Sequence, residues 1–140
     1  MTDEEIAVAR ELVKARGFRW VAGMLAVDLQ PQVWDSIRIG AARVDEDGDR
    51  PGWSYDHAWY PLDTPVPDLT DPATLGCLLA LTREVWGQPD LYVMREGATW
   101  GVHYPDGSYG HDSSETVAGL WDEPSEGIAL ARAIIASRAD

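Results

Sequence analysis

The sequence predicts a single α+β domain over residues 1–140, in which an antiparallel sheet carries helices on one face in the approximate order α-βββ-α-βββ-α. Three observations support this prediction. The length of 140 residues matches one ordinary domain. Three stretches have apolar residues at helical spacing. The stretches between them alternate apolar and polar residues, as half-buried strands do.

The first and third predicted helices lie at the two ends of the chain. The first covers residues 2–16 and begins with the capping-box spacing of Thr2 and Glu5, in which each side chain satisfies a free backbone N–H group. The third covers residues 124–137, where isoleucine, leucine and alanine recur at helical spacing. Both helices therefore offer one apolar face to a core.

The second helix has the clearest boundaries in the chain. Asp71 is the predicted N-cap, Pro72 occupies the first helical position, and Gly87 follows the last turn. The only charged residues between these boundaries are Arg83 and Glu84. Because its surface is nearly apolar all round, this helix is predicted to be the most buried element.

The remaining elements are strands and their connections. A proline-rich internal connection covers residues 61–71, because proline prevents a helix there. A strong turn signal over residues 104–108 joins the last two strands of the second group. The alternating stretches predicted as strands are residues 18–27, 36–41, 53–60, 91–95 and 98–104, with a further strand after the turn.

The negative charge is concentrated in two segments. The chain has 24 acidic and 11 basic residues, for a formal net charge of −13. Residues 44–74 contain eight acids and one base, and residues 104–127 contain six acids and no Lys or Arg. The rest of the chain is therefore neutral. This acidity argues against direct binding to nucleic acid or to an anionic membrane, both of which attract basic surfaces.

Composition excludes further classes. No apolar stretch approaches the roughly 20 residues that span a bilayer, and the acidic start of the chain is unlike a secretory signal peptide. Cys77 is the single cysteine, so neither an internal disulfide nor a cysteine-based zinc cluster can form. We expect a soluble cytoplasmic protein that needs no cofactor.

A calcium loop is the first candidate metal site. Asp45, Asp47 and Asp49 alternate as the ligands of such a loop do, and Asp56 falls at its last ligand position. However, Arg50 stands where the loop requires glycine, and no helix pattern flanks the segment. A solvated hairpin tip is the favoured interpretation.

Two histidines form the second candidate metal site. The turn predicted at residues 104–108 places His103 and His111 diagonally on the outer face of a hairpin, with Asp106 or Asp112 close by. Imidazole and carboxylate groups can complete a tetrahedral metal site, and the same group could centre a small hydrolase. Paired histidines on a polar strand face are, however, more common without a metal.

No catalytic residue is assigned. The sequence contains no G-x-S-x-G, no glycine-rich phosphate loop and no H-E-x-x-H. Asp56 and His57 are adjacent, but neighbours in a strand point to opposite faces. The Cys77 thiol lies in an apolar helix, where it is expected to stay protonated and inert. An enzyme is therefore the less favoured interpretation.

The chain has seven tryptophans, and most of them should lie in the core because each buries a large apolar area. Trp34, Trp53 and Trp121 each lie near acidic or turn residues, so these three are expected to be partly exposed. An exposed tryptophan beside carboxylates commonly anchors a protein–protein contact, because the ring supplies affinity and the charge steers the approach of the partner.

Residues 67–81 (PDLTDPATLGCLLAL), followed by Trp86 and Gly87, resemble a block in small uncharacterised phage and prophage proteins. Residues 97–103 (GATWGVH) and the closing alanine-rich helix are similar as well, so the resemblance covers about half of the chain. It implies a phage genomic context, and hence the host-cell cytoplasm, but no assigned activity and no catalytic residues. Many small acidic phage proteins inhibit host defence or transcription by presenting carboxylates where nucleic acid would bind.

The leading hypothesis is a non-catalytic, acidic protein-binding module whose partner has a basic surface. A narrower form is a nucleic-acid mimic that inhibits a host nuclease, restriction or CRISPR complex. Two alternatives stay open: a hydrolase-like or metal-binding domain around His103, His111 and Asp112, or an accessory phage protein whose acidic loops serve only solubility. The predicted partner-binding residues are Asp45, Glu46, Asp47, Asp49, Trp53, Asp56, Asp63, Asp106, Asp112, Glu115, Trp121, Asp122 and Glu123.

Overall fold

The computed structural model describes residues 1–31, 35–40, 44, 50–56, 58–105 and 115–137, and within them it confirms the α+β fold class. The helices are α1 Asp3–Leu12, α2 Pro72–Trp86 and α3 Glu126–Ser137. The strands are β1 Leu25–Asp28, β2 Ser36–Arg38, β3 Gly52–Tyr55, β4 Ala58–Pro61, β5 Pro65–Pro67, β6 Tyr92–Glu96 and β7 Thr99–His103.

The strands form three small antiparallel sheets rather than one continuous sheet. One has the order β2-β1-β5, and the other two are the hairpins β3-β4 and β6-β7. Five described strands lie between α1 and α2, where the sequence pattern indicated three. The difference arises at two places, the stretch predicted as a single strand over residues 53–60 and the proline-rich connection.

Residues 53–60 form a hairpin because the chain reverses at Asp56. The backbone of Asp56 has a φ of 50°, in the left-handed region, and Tyr55 pairs directly with Ala58. The sequence lacks the Asn-Gly or Asp-Gly pair that marks such tight turns. The alternating pattern therefore continued through the turn and concealed it.

The proline-rich connection contains the short strand β5, which pairs with β1 at one edge of its sheet. Pro65 and Pro67 have no N–H group to donate, and an edge position tolerates this lack. Val66 lies opposite Val27 and is buried. The connection is extended, as predicted, but it also completes a sheet.

The helix caps agree with the sequence predictions. The backbone N–H of Thr2 donates to the Glu5 carboxylate at 2.7 Å, and that of Glu5 donates to the Thr2 hydroxyl at 3.1 Å. Asp71 caps α2, and Gly87 ends it with a φ of 62°. The first helix ends at Leu12, earlier than the predicted boundary at residue 16.

The helix at the centre of the core is α3, not α2 as predicted. It packs against α1 and α2 and against the β6-β7 hairpin. It also lies close to the segment between β5 and α2, where a Cβ added at Gly127 would lie 2.1 Å from the Leu69 carbonyl oxygen. The buried residues of α3 are Gly127, Ile128, Ala129, Leu130, Ala131, Ala133 and Ile134. Those of α2 are Thr74, Leu78, Leu81 and Thr82.

Candidate interaction surface

Residues 115–123, here called the strap, run along the edge of β7 and are fixed to it by backbone hydrogen bonds. Trp100 and Glu123 exchange N–H···O bonds of 2.8 and 2.9 Å. The Val102 N–H donates to the Leu120 carbonyl at 3.0 Å. The strap therefore extends the β6-β7 sheet. It does so through two isolated antiparallel bridges, Trp100 with Glu123 and His103 with Thr116, rather than as a continuous strand.

The strap also lies close over one face of β7, at Gly101. A Cβ added there would lie 3.1 Å from the Leu120 carbonyl oxygen and 3.2 Å from the Trp121 Cα. It would also lie 2.9 Å from Nε2 of His103. Glycine at this position lets the strap approach, so Gly101 helps to set the position of Trp121.

Trp121 projects from the strap into solvent. Its exposed fraction is 64%, whereas Leu120, one residue earlier, is 9% exposed and packs in the core. The next residue, Asp122, is exposed as well. The sequence prediction that Trp121 is partly exposed is therefore confirmed. The strap presents an aromatic ring and a neighbouring carboxylate on a backbone that is fixed on both sides.

Glu123 is held inside the molecule rather than presented to solvent. Its carboxylate pairs with the Arg132 guanidinium of α3, and the Glu123 side chain is only 13% exposed. Arg132 also contacts the Glu4 carboxylate of α1 at 3.3 Å. This predicted partner-binding acid thus joins the strap to two helices and keeps Trp121 in place.

The β3-β4 hairpin provides a second aromatic surface. Trp53 stacks on its cross-strand partner Tyr60, with ring centroids 4.7 Å apart and planes 21° apart. Tyr60 is 40% exposed and Trp53 is half-buried. Asp56, at the tip of the hairpin, is exposed. Of the two predicted partner-binding residues in this hairpin, Asp56 is therefore more exposed than Trp53. Tyr60, which was not predicted, is also more exposed than Trp53.

Asp63 is exposed and lies beside a buried carboxylate that the sequence analysis did not single out. Asp28 is 5% exposed and accepts backbone N–H bonds from Asp63 and Thr64, both at 2.9 Å. Burial alone would raise the pKa of Asp28, but the hydrogen bonds from Thr64, Asp63 and Gln30 outweigh this effect and hold the pKa below its ordinary value. Asp28 thus joins the end of β1 to the segment before β5.

Two further acids of the first segment also have structural partners. Asp68 accepts the backbone N–H and the hydroxyl of Thr70 at 2.9 and 2.6 Å. Asp71 caps α2 and forms a two-pronged ion pair with Arg38. The hydrogen bonds from Arg38 outweigh the effect of burial and hold the pKa of Asp71 at about 2. Both oxygens of the Asp71 carboxylate are thus occupied, whereas the bonds of Asp68 use only its Oδ1 atom.

Several predicted site residues lie outside the described residues. They are the acids at the start of the candidate calcium loop and the residues within and after the turn predicted at residues 104–108. The calcium-loop hypothesis and the pairing of His103 with His111 therefore stay predictions. The residues concerned are Asp45, Glu46, Asp47, Asp49, Asp106, His111 and Asp112. Trp34 and His57 also lie outside the described residues.

His103 is buried, although the strand pattern placed it on an outer face. It is 5% exposed and stacks on Tyr92 at a centroid distance of 5.3 Å. Its Nδ1 atom has no hydrogen-bond partner among the described residues. The alternation pattern failed here because both faces of β7 are covered at this end. Val102 packs in a core cluster on one face, and the strap lies near the other face. No group of three His, Cys, Asp or Glu side chains suited to a metal occurs in the described ranges.

The Cys77 thiol shows the behaviour that the sequence predicts. Its Sγ lies 3.5 Å from the Ala22 carbonyl oxygen, and the side chain is half-buried. Burial, together with the nearby Asp71 carboxylate, raises the pKa of the thiol above its ordinary value. The thiol is therefore protonated at neutral pH, which makes it a poor nucleophile.

The sequence contained one signal for a residue that was missed. Asp28 follows Ala26 at a spacing of two, and both are buried on the same face of β1. Strict alternation from Ala26 would have pointed the Asp28 carboxylate inward. No local signal indicates the ion pair of Arg132 with Glu123, because it joins residues of separate elements.

Comparisons with known proteins identify no relative: no family model, no curated protein and no solved structure matches this chain. None of the helices in the described ranges combines the length and the apolar character that a membrane-spanning helix requires.

Proposed function

We propose that this chain is a non-catalytic protein-binding module that binds its partner through Trp121 and neighbouring carboxylates, and that the partner has a basic surface. The observation that carries this proposal is the 64% exposure of Trp121 on a backbone fixed by hydrogen bonds. Tryptophan is among the residues most enriched at the energetic centres of protein interfaces. A large exposed ring on such a backbone therefore favours a binding role.

The rigid setting of Trp121 supports high affinity. The strap is already ordered by the bonds between Trp100 and Glu123 and by the ion pair of Glu123 with Arg132. Association then orders little further backbone, and less conformational entropy is lost on binding. Burial of the ring by a partner removes a large apolar area from water.

The charge of the molecule supports a basic partner. A net charge of −13 produces a negative field that accelerates encounter with a positive surface and opposes encounter with an acidic one. Asp122 is exposed directly beside Trp121. The Asp122 carboxylate beside the ring would thus help to orient the partner, and the ring would supply most of the binding energy.

The described acids favour this local surface over a nucleic-acid mimic. A mimic needs a continuous file of carboxylates, since DNA carries one charge per about 1.7 Å of its axis. Asp28, Asp71 and Glu123 instead accept hydrogen bonds or pair with arginine within the fold, which removes these three from such a file. Inhibition of a host defence complex stays compatible with the proposal, through a protein contact rather than through imitation of DNA.

The proposal is tested by capturing partners on the immobilised protein from a lysate of the native host cells, with wild type, Trp121→Ala and Tyr60→Ala in parallel. Tyr60→Ala is the matched control, because it removes another exposed aromatic ring, on the separate β3-β4 hairpin. We expect Trp121→Ala to lose the partner and Tyr60→Ala to retain it. Equal retention by all three proteins would contradict the assignment of the surface.

A salt series and a DNA competitor test the nature of the partner surface. Binding to a basic surface should weaken as salt is raised, because exposed charges are screened beyond about 8 Å at physiological ionic strength. A short DNA duplex should compete only weakly if the contact depends on Trp121. Complete displacement by DNA, with no effect of Trp121→Ala, would support the mimic and overturn the proposal.

A further inference from the structure

We propose that an open groove at the C-terminal end of α1 is a second docking site, and that it binds an acidic protein segment with an apolar anchor residue. The groove has a volume of about 330 Å³. It is lined by side chains from the last turn of α1 and the two residues that follow that helix, from the residue after β1, and from β5 with the residue before it. The lining residues that matter are Val13, Leu29, Pro65 and Val66, with Arg10 and Lys14 beside them.

The two cations at the groove have no partner within the described part of the chain. Arg10 and Lys14 are exposed and take part in none of its ion pairs or side-chain hydrogen bonds. By contrast, Arg19, Arg38 and Arg132 each pair with a carboxylate. Cations near a helix C-terminus do stabilise the helix dipole. That effect does not use the guanidinium and ammonium groups as hydrogen-bond donors, so they are available to a ligand.

The floor of the groove is apolar and cannot extend a sheet. Val66 forms the hydrogen-bonded pair with Val27, because the flanking bonds run from Leu29 N–H to the Thr64 carbonyl and from Asp68 N–H to the Leu25 carbonyl. Pro65 and Pro67 have no N–H. The free edge of β5 therefore offers no backbone donor, and an occupant must bind through side chains.

Charge complementarity identifies the occupant as an acidic protein segment. Two unpaired cations beside an apolar floor match carboxylates that flank an apolar side chain. An anionic membrane is disfavoured because a broad flat surface would also face the exposed acids beside the groove, Glu11 and Asp63, whereas a short segment can contact the two cations alone. An isolated small molecule is disfavoured because the groove is open, whereas small-molecule sites bury most of the ligand surface.

Two acids lie near the groove and make its electrostatic potential less positive. Glu11 lies between the two cations in the sequence but does not line the groove, and Asp63 is exposed just before Thr64. Arg50 donates to the Asp63 backbone carbonyl at 2.6 Å and so brings a positive charge to that side. No acidic side chain lines the groove itself. The lining of the groove therefore carries two positive charges and no negative one, on a molecule that is acidic overall.

The test measures binding of a fluorescent synthetic peptide, Leu-Phe-Leu flanked by glutamates, by fluorescence anisotropy, with amide NMR shifts to locate it. We expect shifts at Val13, Leu29 and Val66. We also expect an affinity loss of at least about tenfold in the double variant R10E/K14E. The matched control is Arg16→Glu, which reverses one charge just beyond α1 but outside this groove and is compared with Arg10→Glu alone, which reverses one charge at the groove.

Three results would overturn the proposal. The first is an equal loss of peptide affinity in R10E/K14E and in Arg16→Glu. The second is tight binding of a lysine-flanked version of the peptide. The third is a set of amide NMR shifts that lie away from the groove. Sedimentation also tests for self-association. If the protein self-associates and R10E/K14E abolishes this, the occupant of the groove is a second copy of the chain and not an acidic segment of another protein. Thermal unfolding confirms that each variant is folded. Trp121→Ala should leave peptide binding unchanged, so this proposal and the proposed function fail independently.

Discussion

At the scale of single residues, two carboxylates keep their negative charge through hydrogen bonds and so make the fold sensitive to acid. Asp71 caps α2 and binds Arg38, which in turn donates to the Gly23 carbonyl at 3.0 Å. The Thr74 hydroxyl donates to Asp71 and accepts the Leu25 N–H, both at 2.9 Å. Asp71 thus connects α2 to the β2-β1-β5 sheet, directly through Arg38 and indirectly through Thr74.

We predict that Asp71→Asn reduces the acid sensitivity of the protein. The pKa of Asp71 in the fold is about 2, below its ordinary value of 3.8. Ionised Asp71 therefore stabilises the fold above about pH 4, and this contribution is lost as the pH falls from about 4 towards 2. Asparagine is an equally good cap, so at pH 7 we expect a loss of only about 1 kcal/mol in unfolding free energy from the ion pair.

The measurement is urea unfolding of wild type and Asp71→Asn at a series of pH values. The variant should lose less stability than wild type between pH 4 and 2. Asp122→Asn is the control, because it removes one exposed carboxylate that has no partner among the described residues. If both variants show the wild-type acid response, the ion pair does not set that response.

We predict that Asp28→Asn destabilises the protein by about 1–3 kcal/mol at neutral pH, because an amide has one acceptor oxygen and leaves a buried N–H group unsatisfied. Both carboxylate oxygens of Asp28 accept backbone bonds. Its lowered pKa means that this stabilisation is present at neutral pH and declines on acidification. Chemical unfolding measures the loss. Asp35→Asn, an exposed acid before β2, should change stability by no more than about 0.5 kcal/mol.

At the scale of elements, two glycines have opposite roles. Gly101 in β7 lies under the strap, and a Cβ there would be within 3.2 Å of three atoms. Gly76 is an exposed residue inside α2, and a Cβ there would meet nothing within 4 Å. The same substitution should therefore weaken one element and strengthen the other.

We predict that Gly101→Ala destabilises the protein by about 1–3 kcal/mol, because overpacking displaces the strap backbone. Hydrogen exchange should accelerate at the Val102 and Glu123 amides, which bond across this junction. Fluorescence should report a changed environment of Trp121. Unchanged exchange at these amides would show that the strap can shift without losing its bonds, contrary to the prediction.

For Gly76→Ala we predict a stabilisation of about 0.5–1 kcal/mol, because alanine loses less backbone entropy in a helix than glycine does. Thermal and urea unfolding measure it. The variant should retain partner binding, since Gly76 lies on α2, away from the strap. A loss of stability would contradict this prediction, because it would mean that a methyl group at position 76 is unfavourable in the fold.

At the scale of the whole molecule, the net charge of −13 opposes compact folding, while a few internal pairs favour it. The pair of Arg132 with Glu123 and Glu4 ties the strap to the N-terminal half of α1. The groove with its two cations lies at the other end of the same helix. The proposed acidic and basic surfaces are thus separated along α1.

We predict that added salt stabilises the protein. Raising the ionic strength from about 10 mM to about 150 mM shortens the screening length from about 30 Å to about 8 Å and weakens repulsion between distant acids more than attraction within close pairs. The urea midpoint should rise over this range. The double variant E115Q/D122N, with less negative charge, should show a smaller rise. A midpoint that falls with salt would mean that attraction between close ion pairs outweighs the net repulsion.

Sequence reasoning predicted local features best. The capping box of α1, the Asp71 and Gly87 caps of α2 and the exposure of Trp121 depend on neighbouring residues, and the structure confirms them. It missed the turn at Asp56, because no glycine or asparagine marks this left-handed residue. It also misplaced His103, since what covers a strand face is decided by distant segments.

The sequence by itself determined the α+β class, the strongest helix boundaries and the acidity of the molecule, because these follow from composition, spacing and short-range hydrogen bonds. Only the tertiary structure decided that α3 is the central helix, that Glu123 is an internal ion-pair partner and that Arg10 and Lys14 flank a groove. The physical reason is that burial and ion pairing depend on which elements meet. Packing decides those meetings through contacts that are distant in the chain.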